Sequence, residues 1–407
     1  MKLQQLPQEF IAALPILEKI EGAGYEAYFV GGSVRDTLLG KPIHDVDIAT
    51  SAFPKEVKAI FEHTVDTGIK HGTVMILDQG QGYETTTFRT ESTYTDFRRP
   101  DEVTFVRSLA EDLQRRDFTI NALALKSDGE VIDLFDGLKD LTDHRIRAVG
   151  KAEERFFEDA LRMMRALRFS SQLGFEIEAT TLQAIQDNAA LLNNIAVERI
   201  NTEFTKLLLG KNVWYAILEL LRTGVHNYLP GLENSDIDLV GLADLLKQEQ
   251  IDDVTVAWML LTFELGLTAD DAQIFLKSWK HSNELIKVVR SGLRLLNQLR
   301  IKDVTDWQLY QVGTAIQATL KVLDLSELPI ESTSLQVRYE QLPIKEKQAL
   351  ALNGGDLTKT LALKPGPLFG KVLATLEYKV VMGELANDKP VLLKAATTII
   401  QKDQQGK

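Results

Sequence analysis

Two carboxylates one residue apart, Asp45 and Asp47 in the run Lys41-Pro-Ile-His-Asp-Val-Asp-Ile-Ala-Thr50, are the strongest chemical signal in this 407-residue chain. Side chains alternate faces along a β-strand with period two, so the spacing predicts both carboxylates on one face and Val46 and Ile48 on the other. Hard oxygen ligands a few ångströms apart suit Mg²⁺, which keeps most of its waters and binds the phosphates of a substrate. Taken alone, Asp-x-Asp also marks turns and solvated strand edges.

The segment that must position them is Ala27-Tyr-Phe-Val-Gly-Gly-Ser-Val-Arg-Asp-Thr-Leu-Leu-Gly40. An apolar strand, Tyr28 to Val30, runs into Gly31-Gly32, and the spacing of Ser33 and Asp36 predicts a capping box opening a short helix that stops at Gly40. Glycines such as Gly32 let the backbone approach a triphosphate, the first helical turn directs N–H groups at it, and Arg35 adds a fixed positive charge. The pattern is neither a Walker A loop nor a Gly-x-Gly-x-x-Gly fingerprint. A triphosphate cradle followed at once by a metal-binding pair describes a nucleotidyltransferase. His71–Leu77 and Tyr83–Arg89 alternate as strands around the turn-rich 78–82. The third carboxylate of such a site would come most naturally from the second of them, with Glu84 as the candidate, although an exposed strand glutamate would read the same.

The sequence resembles the bacterial tRNA nucleotidyltransferases of the polymerase beta superfamily, the CCA-adding enzymes. The resemblance rests on Gly31-Gly-Ser-Val-Arg-Asp36, Asp45-Val-Asp47, Arg115-Arg-Asp-Phe-Thr-Ile-Asn-Ala122, Asp133-Leu-Phe-Asp-Gly137, Glu158-Asp-Ala-Leu-Arg-Met-Met-Arg165 and Glu198-Arg-Ile-Asn-Thr-Glu-Phe204. It implies template-independent addition of the 3′ CCA end of tRNA from CTP and ATP, with Mg²⁺ as cofactor on Asp45 and Asp47. The alternatives are a bacterial poly(A) polymerase, which would carry a basic extension absent here, and a partial CC- or A-adding enzyme. The polar stretch 90–107 looks like the loop that helps complete members switch from CTP to ATP. A loop without that role would have the same composition.

Asp159 and Arg162 stand three apart, predicting neighbours on one helix face. A pair at this spacing is ordinarily a simple ion pair; the resemblance makes it a protein template for the incoming base. Cytosine and adenine both present an amino group beside an unprotonated ring nitrogen, so one carboxylate acceptor and one guanidinium donor serve both. Uracil and guanine reverse that edge and leave buried polar groups unpaired. The resemblance also assigns Arg165 and Arg168 to nucleotide contact. Steps of three turn about 60° each, which sets Arg168 nearly opposite Asp159 on a continuous helix. Arg116 is a further phosphate candidate, and Asp117 and Asn121 are expected to hold strand and helix in register.

The fold expected is α+β: a nucleotidyltransferase head with a mixed sheet over 1–140, then an all-α neck (141–215), body (216–325) and tail (326–407), the tail for tRNA binding. Trp214, Trp258, Trp279 and Trp307, all in the helical half, read as core. A net charge of −12 argues against broad coating of nucleic acid. It leaves room for one focused groove, since residues 139–168 hold eight Lys and Arg against six acids. Without cysteine, neither disulfide-linked partners nor thiolate metal sites arise. No apolar stretch reaches the ~18 residues needed to span a bilayer, so no membrane partner is expected and the cytoplasm is the expected compartment. A homodimer is compatible with the sequence.

Overall fold

The computed structural model describes every residue except 92–102, 327, 362, 364, 365, 406 and 407. The chain divides into two compact units, Met1–Asp236 and Ile237–Lys407. This is a coarser division than the four segments expected from the sequence.

The first unit opens with α1 (Gln8–Gly22), β1 (Ala27–Val30), α2 (Gly32–Leu38), β2 (Asp47–Thr50), α3 (Pro54–Ile60), β3 (Thr64–Gly68), β4 (Thr73–Asp78) and β5 (Gln81–Thr87). A ribbon of β6 (Arg89–Glu91) and β7 (Val103–Phe105) precedes α4 (Leu109–Gln114), β8 (Leu123–Leu125), β9 (Val131–Asp133) and α5 (Gly137–Thr142). The seven-stranded sheet has order β3-β4-β5-β2-β1-β8-β9. The β2–β5 pairing is parallel and the others antiparallel.

Alternation along β1 makes the sheet two-sided. Phe29 stacks on Phe10 of α1 at 4.4 Å, where Phe10, Ala13, Ile16, Leu17 and Ile20 form a helical stripe. Val30 faces the opposite core of Ala49, Phe88, Leu109, Leu113 and Ala124. A fully buried ring such as Phe29 contributes about 2 to 3 kcal/mol.

The rest of this unit is helical apart from a short parallel pair, β10 (Arg145–Ile146) and β11 (Glu176–Ile177). Its helices are α6 (Ala152–Glu158), α7 (Leu161–Leu173), α8 (Ala179–Asn188), α9 (Val197–Leu208) and α10 (Val213–Arg222). Helix α7 is buried nearly all round, between α9 and α10 among others. Asp133, in the Asp-Leu-Phe-Asp-Gly run, accepts the Gly137 and Leu138 N–H groups at 2.8 and 2.9 Å and so caps α5. A side chain at Gly137 would meet the Thr119 carbonyl at 2.3 Å.

The second unit is wholly helical among its described residues, as expected for body and tail. It comprises α11 (Asp236–Leu245), α12 (Val254–Glu264), α13 (Ala269–Ser278), α14 (Asn283–Leu299), α15 (Asp306–Val312), α16 (Ile316–Leu325), α17 (Ser332–Gln341), α18 (Gly354–Leu361), α19 (Pro367–Val381) and α20 (Lys389–Gln405). Trp258 and Trp279 are fully buried here, as core. No described helix is long and apolar enough to cross a membrane.

Candidate active site

The carboxylate pair straddles a strand end. Strand β2 begins at Asp47, and Asp45 lies in the irregular 41–46 before it, which corrects the expectation of one strand carrying both. The register gives the reason: Asp47 pairs with Val30, the last residue of β1, so the partner strand has already turned into α2. The next strand over matches Ile48 to Thr85, which sets Glu84 beside Asp47. Asp45, Asp47 and Glu84 all border one cavity of about 830 Å³. No three such groups are gathered into a ready-made cluster among the described residues. Asp47 is exposed as a residue, yet its carboxyl is pushed up, first by partial enclosure and then by Glu84, with Arg116 opposing and Asp45 adding to the rise. A divalent cation would relieve this crowding, and the all-oxygen donor set fits one.

At the glycine turn Gly31 takes φ 72°, ψ −135° as the N-cap of α2. A side chain there would come within 3.3 Å of the Arg116 guanidinium and 3.9 Å of the Asp47 carboxylate. The expected capping box does not form. The helix is capped at Gly31, two residues before Ser33; the Ser33 hydroxyl donates to the Val30 carbonyl at 3.1 Å, and Asp36 takes the Arg35 guanidinium through two bonds of 2.9 Å. A charged fork outcompetes a backbone N–H for the carboxylate. Arg35 also donates to Asn121 at 2.7 Å.

Asp47 and Glu84 also border a second cavity, of about 620 Å³, whose other walls carry Gly31, Gly32, Arg35, Arg115, Arg116, Asp159, Arg162, Arg165, Arg168 and Arg199. That volume is ordinary for a small-molecule site. All nine sequence candidates other than Asp45 line it: Gly32, Arg35, Asp47, Glu84, Arg116, Asp159, Arg162, Arg165 and Arg168.

Asp159 and Arg162 do not share a helix face. Asp159 has φ −142°, ψ 102°, in a break between α6 and α7. Its carboxylate accepts the Leu161 N–H at 3.1 Å, as short acidic side chains do when they compete with helical bonding. The same carboxylate pairs with Arg199 of α9 at 2.6 Å. Arg162 pairs with Glu158 at 2.9 Å and donates to the Arg115 carbonyl at 2.8 Å. The break also removes the objection to Arg168: Asp159 is out of phase with α7, so both line the same cavity.

Acids brace the remaining arginines. Arg165 pairs with Asp117 at 2.6 Å, and Arg168 approaches Glu203 at 2.7 Å, off the hydrogen-bond axis. Arg35, Arg165 and Arg168 crowd the Phe169 ring at 5.1, 5.3 and 4.1 Å. Burial pulls Arg168 down to about 10; Glu203 and Asp117 oppose the fall, while Arg165 and Arg35 add to it. An anion in the cavity would relieve this crowding of positive charge. Asp117 and Asn121 hold guanidiniums, those of Arg165 and Arg35, where a strand-to-helix link was expected. Arg199 and Glu203 were quoted in a motif without roles. The signal for Glu203 was present: an acid in the buried stripe Ile200, Glu203, Phe204, Leu207 must find a partner. The middle of the expected switching loop 90–107, residues 92–102, lies outside the described residues; its two flanks pair as β6 and β7.

Residues 27–147 match the family described as "Poly A polymerase head domain". Residues 174–235 match "Probable RNA and SrmB- binding site of polymerase A", and 249–396 match "tRNA nucleotidyltransferase domain 2 putative". The chain is 55% identical over 398 residues to a CCA-adding enzyme of Latilactobacillus sakei, covering 97% of this chain and all of that one. It is 56% identical over 402 residues to one of Limosilactobacillus fermentum, covering 98% and 100%. The fold matches the crystal structure of the Bacillus stearothermophilus CCA-adding enzyme in complex with CTP, with TM-score 0.84, 40% identity and coverage of 98% and 99%.

Proposed function

Because this chain belongs to the CCA-adding enzymes, nucleotidyltransferases that act on tRNA, we propose that the cavity between the sheet and α7 holds CTP or ATP during addition of the 3′ CCA end. The observation that carries this is one cavity whose lining brings together carboxylates of the sheet, crowded guanidiniums, and Asp159 with Arg162. The base lies against Asp159 and Arg162, and the phosphates meet Arg116, Arg165 and Arg168, with Arg35 and Gly32 behind them. Arg199 and Glu158 fix the two base readers, so their donors and acceptors are set before the nucleotide arrives. A carboxylate has about four acceptor sites, which lets Asp159 keep Arg199 and still accept an amino group.

Asp45 and Asp47, with Glu84 beside them, hold Mg²⁺. When bound, the metal supplies positive charge that favours the attacking hydroxyl as an oxyanion and offsets charge on the departing pyrophosphate. The terminal 3′ oxygen of the tRNA forms a bond to the α-phosphorus, the bond to the β-phosphate oxygen breaks, and the hydroxyl proton passes to solvent. The arginine wall keeps the triphosphate oriented for that displacement.

In this proposal the chain works as head, neck, body and tail, the tail grips tRNA, and the protein acts in the cytoplasm. All residues invoked come from one chain, so a homodimer is compatible but not needed. The test is incubation of tRNA lacking its last three nucleotides with each triphosphate singly and in pairs, with product length read on a gel. Addition of two C from CTP and one A from ATP is expected; a ladder of adenosines overturns the reading in favour of a poly(A) polymerase. Deleting residues 92–104 is expected to spare CC addition and stop the final A, and equal loss of both would remove the switching role from that loop.

A further inference from the structure

Asp112 lies in the stripe Leu109, Asp112, Leu113 that α4 turns into the core, and it is 1% exposed. One carboxylate oxygen accepts from Arg115 Nε and Nη2 at 3.0 and 2.7 Å, and the other accepts from Arg116 Nη2 at 3.1 Å. The Arg89 backbone N–H, at the start of β6, reaches the first oxygen at 3.3 Å. Burial alone would push this carboxyl up, but the two guanidiniums outweigh it and hold it below the usual range. As a device for stability the arrangement is poor, since desolvating such ions costs about as much as their attraction returns and an apolar side chain would do as well. Both arginines border the 620 Å³ cavity, and Arg116 stands against Gly31 near Asp47. The backbone that carries them is tied independently: the Gln114 and Arg115 carbonyls accept from Arg155 and Arg162 at 3.1 and 2.8 Å.

We propose that Asp112 is a positioning residue for the triphosphate, aiming the Arg115 and Arg116 guanidiniums together at the phosphate end of the cavity. The proposal rests on the reading of that cavity as the nucleotide site. Asparagine keeps the shape of Asp112 but turns one acceptor into a donor facing a guanidinium, so one arginine must swing away. The backbone tie to Arg162 is untouched, which leaves base recognition in place.

The experiment compares equilibrium binding of CTP and CMP to the full-length protein in Mg²⁺, for the parent and Asp112→Asn. The parent should prefer CTP. The variant should lose about tenfold of that preference, through weaker CTP binding at near-parental CMP affinity. A purely structural role would leave the CTP-to-CMP ratio of the folded fraction unchanged, and an unchanged or larger ratio overturns the proposal alone. A parent without preference for CTP overturns the nucleotide reading as well. Should Asp112→Asn not fold, Asp112→Glu, which keeps the charge but displaces it by one methylene, is measured in its place. A reduced ratio there supports the proposal, and a parental one sinks it.

Discussion

The two sets of charged side chains around the site are built on opposite principles. On the helix side each arginine is braced by an acid: Arg35 by Asp36, Arg116 by Asp112, Arg162 by Glu158, Arg165 by Asp117, Arg168 by Glu203. On the sheet side the carboxylates of Asp45, Asp47 and Glu84 make no hydrogen bond or ion pair with the described residues, although Arg116 acts on Asp47 at longer range. The helix side carries its counter-charges within the protein. On the sheet side Glu84 and Asp45 crowd the Asp47 carboxylate, which the proposed cation would relieve. Stability and activity should therefore separate between the two sets, because charges held apart for a ligand are a cost to the unliganded fold.

The largest effect expected is on the sheet side. Asp47→Ala should bring both C and A addition in Mg²⁺ below about a few per cent of the parent, while thermal unfolding shows a midpoint equal to or above the parental one. A clear drop in that midpoint would erase the contrast. On the helix side Asp117→Ala strands the Arg165 guanidinium and should cost about 3 kcal/mol in urea unfolding. Burial pushes the Asp117 carboxyl up, but Arg165, the hydrogen bond from Asn121 and Arg162 hold it far below the usual carboxylate range. A depressed carboxylate stabilises fully above its unfolded value of about 4 and loses that contribution as pH falls below it. The parent should thus lose stability more steeply below about pH 4 than Asp117→Asn does, and parallel acid limbs would remove Asp117 from that role.

Asp159→Ala tests whether the helix side also reads the base. Removing the acceptor should relax selection of CTP over UTP by roughly ten- to a hundredfold, with a lower total rate. Competition on a tRNA ending before its first C measures this, and unchanged selectivity would reduce Asp159 to a partner of Arg199. The smallest effect lies in the second unit, where His281 stands 4.2 Å from the Trp258 ring and burial pulls its pKa down to about 4. The unfolded imidazole titrates near 6.5, so between about 4 and 6.5 the unfolded chain binds the extra proton and stability falls as pH falls. His281→Gln should flatten that slope modestly; identical urea midpoints for parent and variant from pH 7 to 4.5 would exclude the contribution.

Much of this was legible in the residues. The glycine turn, the Asp-x-Asp pair and the change from alternating strands to helical stripes are local patterns, and period two or 3.6 carries them without tertiary help. Glu84 is a candidate from alternation alone, on the second of two neighbouring strands, and only the fold sets that strand parallel to β2. Local rules fail where the fold sets a boundary the spacing does not show: Asp45 precedes a strand whose partner has ended, Ser33 lies inside a helix capped at Gly31, and Asp159 precedes the helix that Arg162 rides on.

The sequence by itself supplies the side chains of the proposed chemistry: two carboxylates one residue apart, a glycine turn, and an Asp and an Arg that the family resemblance makes readers of the base. Which charge answers which was settled only by tertiary structure. Asp159 had Arg162 three residues away and took Arg199 forty residues on, and Arg168 took Glu203 from the same helix, α9. Ion pairing is a matter of distance and burial in space, and packing α7 against α9 placed those groups together where spacing along the chain could not.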